Sequence, residues 1–288
     1  DGIELQKGNT VVSIDSYDTF IDVNGKKVFL ENAMKKYDDG YYINAHVLEE
    51  GFGYTYKWDS VENTLNLVDT KKDESILPSR YSYYDVGRLG KIKDQGIYGT
   101  CWAFASLTAV ETSLMPEEKY DFSEDNMVWN SGYFGAQYDG GDYTRAISYL
   151  ASWRGPVLEE DDVYGDGINN SDAGVVKHVQ EAQIIESKNL EAIKKAVFLY
   201  GGVESSLYTS MSYAGERSMY YNDKNYSYCY IGTKKPNHDV VIIGWDDNYS
   251  KDNFSVSLEG NGAFICVNSW GDSFGDDGLF YVSYYDSN

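Results

Sequence analysis

The feature that most restricts the fold is a change of pattern near residue 200. From Thr100 to Tyr200 apolar residues recur at helical spacing. From Val203 to Tyr284 they gather into short runs separated by glycines. The spacing predicts a helix from Thr100, with Thr100 as its cap and Pro116 after its end. Further helices are predicted from Ser123, from near Thr144 to Gly155-Pro156, and over Asn189–Tyr200, with Gly201 as the stop. Strands are predicted over Val203–Tyr208, His238–Trp245, Ala263–Asn268 and Leu279–Tyr284. Helices followed by strands give an α+β arrangement, a helical half and a β half, with the cleft between them as the binding site.

Residues 1–70 read as a separate small β-rich domain. Val11–Ile14 and Thr19–Val23 alternate like strands, and Asn24-Gly25 is a type I′ hairpin turn. A short helix is predicted at Ile43–Glu50, stopped by Gly51, then strands at Tyr54–Trp58 and Thr64–Val68. Residues 71–76, within a polar stretch ending at Pro78, read as a linker, which leaves 77–288 as the main domain.

Charge excludes two classes of partner. Lys and Arg number 24 against 46 Asp and Glu, a net charge of −22, which repels nucleic acid and anionic lipid. No apolar run approaches the roughly 18 residues of a membrane span. Three cysteines (Cys101, Cys229, Cys266) make no disulfide framework, although a Cys229–Cys266 bridge and two free thiols both remain open. No CxxC or HExxH spacing is present, and His46, His178 and His238 lie far apart. The acidic run Asp246-Asp247-Asn248 with Asp252-Asn253 reads as a solvated turn rather than a calcium site. Asp1-Gly2-Ile3 carries no signal peptide and reads as a mature or trimmed start.

Three stretches carry chemistry. Cys101 lies where a helix begins, where free N–H groups and the macrodipole favour thiolate. His238 opens a strand and can serve as proton carrier. Asn268 closes another and can fix the imidazole tautomer. Gln95, six residues before the cysteine, can offer its amide to an oxyanion. A lone Cys or His is more often a packed or structural residue. The combination reverses that.

Gln95-Gly96-Ile97-Tyr98-Gly99-Thr100-Cys101-Trp102-Ala103-Phe104-Ala105, Asn237-His238 and Asn268-Ser269-Trp270-Gly271, in this order, resemble the papain family of cysteine peptidases, over residues 77–288. Ser123-Glu124-Asp125-Asn126 and Asp139-Gly140-Gly141 add to the likeness, and Leu150–Glu159 and Gly244–Ser250 are most similar to surface peptidases of clostridia-like Gram-positive bacteria. The resemblance implies a papain-like two-lobed fold and a secreted or cell-surface endopeptidase that acts on protein or peptide substrates without a cofactor or metal. It implies Cys101 as nucleophile, His238 as base and acid, and Asn268 as its orienting partner. Gln95 with the Cys101 N–H would form the oxyanion hole, and Trp270 would shield the His238–Asn268 contact. It implies Gly140, Gly141, Asp142, Tyr143 and Asp239 as substrate-binding residues. Asp239 and Asp142 would there favour a Lys or Arg side chain, unless they turn to backbone or water. A catalytically silent adhesion module and a cell-wall peptide amidase are the competing readings.

Residues 1–70 resemble the copper amine oxidase N-terminal-like domain of bacterial surface proteins, through Val23–Lys26, Gly40–Ala45, Trp58 and Asn63–Leu67. That likeness implies cell-wall attachment, or a pro-region, rather than the helical pro-segment of many papain relatives. The family disulfide beside the cysteine loop has no counterpart. Tyr98 and Tyr138 stand at its two positions, so two packed rings are expected there, worth about 0.5–1.5 kcal/mol beyond burial.

Overall fold

The computed structural model describes residues 2–7, 10–15, 20–30, 33–38, 40–59, 64–69, 77–133 and 137–288. The expected linker at 71–76 lies outside them. Contacts divide the chain into two units, Asp1–Leu77 and Pro78–Asn288.

The first unit holds an antiparallel sheet of β1 (Gly2–Lys7), β2 (Thr10–Asp15), β3 (Phe20–Val23) and β4 (Lys26–Phe29), in that order. Two hairpins follow, β5 (Met34–Tyr37) with β6 (Gly40–Ile43), and β7 (Tyr54–Asp59) with β8 (Thr64–Asp69). The β3–β4 turn is the expected one, with Asn24 and Gly25 at φ 51° and 85°. The short helix α1 runs from His46 to Phe52, later than expected, and Gly53 at φ 68° is its left-handed end. Gly51 does not stop it. A Cβ at Gly51 would lie 2.6 Å from a Val12 methyl, so glycine lets the helix approach the sheet. Val12, Ile14, Ile21, Val47 and Phe52 form the core there.

The second unit opens with β9 (Arg80–Ser82) and carries four helices: α2 (Cys101–Leu114), α3 (Glu124–Asn130), α4 (Tyr143–Ala151) and α5 (Leu190–Leu199). Ser123 and Asn189 cap α3 and α5 by accepting from Asn126 N and Ala192 N. Thr100 sits at the cap position of α2 without capping it. Gly201 packs against Ser113 rather than ending α5 in a left-handed turn. Then come β10 (Val203–Leu207), β11 (Tyr221–Asn222), β12 (Ser227–Tyr228), β13 (His238–Asp246), β14 (Ala263–Val267) and β15 (Leu279–Ser283). They form one sheet in the order β10-β13-β14-β15-β12-β11, with β9 also on β13. The whole is α+β, as the pattern required. Trp102, Leu107, Phe122, Met127 and Tyr149 form the helical core. β13 and β14 are buried along almost their whole length, which explains their unbroken apolar runs.

Cys229 and Cys266 are both free and buried. Asp247 is held by Lys194 and by Tyr284 Oη at 2.7 Å, and Asp246 Oδ1 accepts from Asn248 N at 2.9 Å. The acidic run is therefore a turn bound to protein groups. His178 stacks on Trp153, and His46 bonds Glu49.

A buried ion cluster ties the segment before α2 to the helical half. Lys93 Nζ lies 2.8 Å from Glu111, Asp121 and Glu124. Burial pulls this ammonium down, but Glu124 and Glu111 outweigh it and hold it charged. One cation against three carboxylates leaves fully buried Glu124 under-neutralised, and burial pushes it up to about 8. A carboxyl raised in the folded state stabilises in its protonated form. That contribution is complete below the ordinary value and is lost as pH climbs toward about 8. Lys93→Met removes the cation, so it should cost about 3–5 kcal/mol near neutral pH. The cost should shrink in acid, where the carboxyls are protonated. Urea denaturation at the two pH values measures this, and an equal loss at both would contradict it.

Candidate active site

Two stretches of backbone that are distant in sequence are held side by side. Gln95 N donates to Ser269 O at 2.8 Å, Gly271 N donates to Lys93 O at 3.0 Å, and Asp94 bridges Trp270. This places Gln95 beside the end of β14, where Asn268 follows. Side chains reinforce the link. Ser269 Oγ donates to Gln95 Oε1 at 2.6 Å, and Gln95 Nε2 donates to Tyr98 O at 2.7 Å, which leaves the amide a second N–H.

His238 begins β13, and its Nε2 lies 2.8 Å from Asn268 Oδ1. The backbone N–H of Ser269 also donates to Asn268 Oδ1, at 2.8 Å, so that atom is the carbonyl oxygen. An oxygen accepting there requires His238 to carry its proton on Nε2. Nδ1 is then the basic nitrogen. Trp270 stacks on His238 with ring centroids 4.8 Å apart, and Phe274 braces Trp270 edge-on at 5.0 Å. All four side chains are buried.

Cys101 is the first residue of α2. The backbone N–H groups of Asp239, the neighbour of His238, and of Trp102 act on its sulfur and favour the thiolate. Cys101 and the residue after His238 are therefore close in space. Burial pushes the thiol up to about 12, and the Asp239 carboxylate adds to it, against the two N–H groups. Burial drives His238 down to about 4, against its Asn268 bond. The N–H groups at the helix start act in the expected direction, toward thiolate, and burial acts against them.

The remaining expected residues divide. Gly140 adopts φ 71°, and a Cβ on Gly141 would lie 2.4 Å from the Trp102 indole nitrogen, so the glycine pair lies against the nucleophile's helix. Asp142 caps α4, its Oδ1 accepting from Thr144 N at 2.8 Å, and Tyr143 is exposed. Asp239 is buried, its Oδ1 accepting from Ser206 Oγ at 2.5 Å. Burial raises it to about 6. The Tyr98 and Tyr138 rings meet at 5.0 Å, edge to face, where the bridge is absent.

Sequence reading missed three supports. Tyr164 Oη donates to Gln95 O at 2.9 Å and lies 2.6 Å from Thr100 Oγ1, which explains why Thr100 does not cap α2. Ser269 orients both Gln95 and Asn268. Glu204 on β10 accepts from Ser106 Oγ of α2 at 2.5 Å. Only Ser269 carried a signal, as part of the Asn268–Gly271 string.

Comparison with known proteins accords with this geometry. The family described as papain family cysteine protease matches residues 77–288, and the copper amine oxidase N-terminal domain matches residues 1–67. A probable cysteine protease of Arabidopsis thaliana is 26% identical over 252 residues, covering 81% of this chain and 64% of its own length. Falcipain-3 of Plasmodium falciparum is 27% identical, covering 78% of this chain and 44% of its own. Among solved structures, the clostridial cysteine protease Cwp84 after propeptide cleavage superposes with a TM-score of 0.65 at 34% identity, over 73% of this chain and 55% of that one. The bromelain protease of Ananas comosus, at 21% identity and a TM-score of 0.57, shares the fold over 74% of this chain and 92% of its own. The chain thus spans only about half to two thirds of the first relatives' length.

The Asp239 carboxylate beside the sulfur opposes a second negative charge. Asp239→Asn should therefore move the pH profile of Cys101 alkylation by iodoacetamide to lower pH and quicken the reaction at neutral pH. A profile that stays in place, or moves upward, would remove Asp239 from the thiol's electrostatics.

Proposed function

Since the chain belongs to the papain family of cysteine proteases, we propose that it is an endopeptidase that works through Cys101, His238, Asn268 and Gln95. The observation that carries this is the buried His238–Asn268 pair under Trp270, next to a cysteine at a helix start.

Cys101 Sγ attacks the carbonyl carbon of the scissile bond while its proton passes to His238 Nδ1. The oxyanion takes the Cys101 N–H, unpaired at the first turn of α2, and the second N–H of Gln95. His238 then protonates the leaving amine, and a thioester remains on Cys101. Water, deprotonated by His238, hydrolyses the thioester and restores the thiol. Trp270 keeps bulk water from the His238–Asn268 bond, which holds the tautomer through both halves. No step calls for a cofactor or metal. Gly140, Gly141, Asp142, Tyr143 and Asp239 flank the nucleophile as the substrate-binding wall.

The peptidase acts outside the cell, at the surface or secreted. Cwp84 is described as a surface-layer-associated protein of Clostridium difficile, and the N-terminal unit serves here as an attachment module. The test is labelling with an epoxysuccinyl thiol inhibitor followed by a peptide library. Labelling at Cys101 with turnover of ordinary peptides supports the reading. No labelling favours a silent adhesion module, and turnover of wall peptides alone favours an amidase. Cys101→Ala should abolish turnover in a folded protein, and His238→Ala should be nearly as severe because the two act as a unit. Asn268→Ala should cost less, since Trp270 still holds the ring. Full activity in Cys101→Ala would end the assignment.

A further inference from the structure

We propose that Tyr164 is a positioning residue: its hydroxyl fastens Gln95 to Thr100 and so sets the spacing of the two N–H donors at either end of the loop before α2. The inference rests on the peptidase reading above, in which the Gln95 amide and the Cys101 N–H receive the oxyanion.

The loop between those donors has little stiffness of its own. Five residues, Gly96 to Thr100, separate Gln95 from Cys101, and two of them are glycines. Gly96 adopts φ 61°, and a Cβ on Gly99 would lie 3.0 Å from Gly140 N and 3.2 Å from Tyr138 O, so neither is open to a stiffer residue. None of the five is a cysteine, so the loop has no covalent brace.

Tyr164 spans the loop from outside it. Its hydroxyl donates to Gln95 O at 2.9 Å and lies 2.6 Å from Thr100 Oγ1. A phenol has one proton and Gln95 takes it, so Thr100 is the donor in the second bond. Burial raises the phenol above its ordinary value, which keeps that proton in place. One oxygen thus touches the residue that carries the first oxyanion donor and the residue just before the second.

Tyr164 is itself fixed. Its N–H donates to Glu159 Oε1 at 2.9 Å, and the N–H of Gly165 donates to Asp125 Oδ2 of α3 at 2.8 Å. Its ring meets Phe104 of α2 edge-on at 4.8 Å and Tyr98 at 6.0 Å, and Tyr98 in turn meets Tyr138. The hydroxyl is therefore a rigid strut from the helical half to both ends of the loop. Donors serve an oxyanion only when held about 2.7–3.1 Å from where it forms, so a small drift of the loop lowers rate before it lowers binding.

The test is Tyr164→Phe, which keeps the ring and removes the hydroxyl. On a peptide substrate kcat should fall about tenfold with KM within about twofold, short of the roughly hundredfold for losing a donor outright. A peptide aldehyde, whose hemithioacetal with Cys101 sets its oxygen where the oxyanion forms, should lose affinity in the same proportion. Alkylation of Cys101 by iodoacetamide forms no oxyanion, so its rate and pH profile should not move. Thr100→Val should repeat this pattern and Thr100→Ser should keep the wild-type values, which decides the matter if the tyrosine variant fails to fold. An unchanged kcat in Tyr164→Phe, or a loss that aldehyde binding and alkylation share, overturns the inference while the peptidase reading stands. Absence of turnover in the wild type, together with no epoxysuccinyl labelling of Cys101, overturns both.

Discussion

The site depends on a short backbone pairing between residues 93–95 and 269–271. A few hydrogen bonds there, Gln95 N to Ser269 O and Gly271 N to Lys93 O, join the run leading into α2 to the run leaving β14. Without them Gln95 would belong to one half of the unit and Asn268 to the other. Lys93 adds a second fastening from within the same segment by engaging Glu111 and Glu124. One stretch of chain thus anchors the helical core, the Gln95 amide and the partner of the imidazole. Ser269, with its carbonyl, hydroxyl and amide all committed, is the residue through which these groups are aligned.

Burial sets the electrical character of the place. Sulfur and imidazole sit where separated charges are expensive, and a carboxylate next to the sulfur makes thiolate dearer still. The N–H groups of Trp102 and Asp239 work the other way and supply fixed positive poles.

What could be read from the sequence follows from how far each effect reaches along the chain. The helices and strands of the second unit were legible because periodicity is local, whereas Cys101, His238, Asn268 and Gln95 were singled out because their strings, in this order, resemble those of the papain family. Gly51 was misread. Glycine serves both left-handed ends and close approaches, and only the Val12 methyl pressing on α1 separates the two. Thr100 was misread because Tyr164, distant in sequence, takes its hydroxyl. Glu204 gave no sign at all. Its contact with Ser106 of α2 joins residues distant in sequence, and nothing near it encodes that. The burial around Cys101 was invisible for a related reason, since the helix start is a local feature and the packing over it is not.

The contact between Gly141 and Trp102 has an evolutionary corollary. The indole occupies the volume that a side chain at 141 would need, so neither position is free to drift alone. A descendant that gains a methyl at 141 must accept a smaller ring at 102, and thereby loosen the second residue of the nucleophile's own helix. The two sites form a joint constraint on divergence, a lock between the glycine pair and the first turn of α2 that selection can release only by changing both at once.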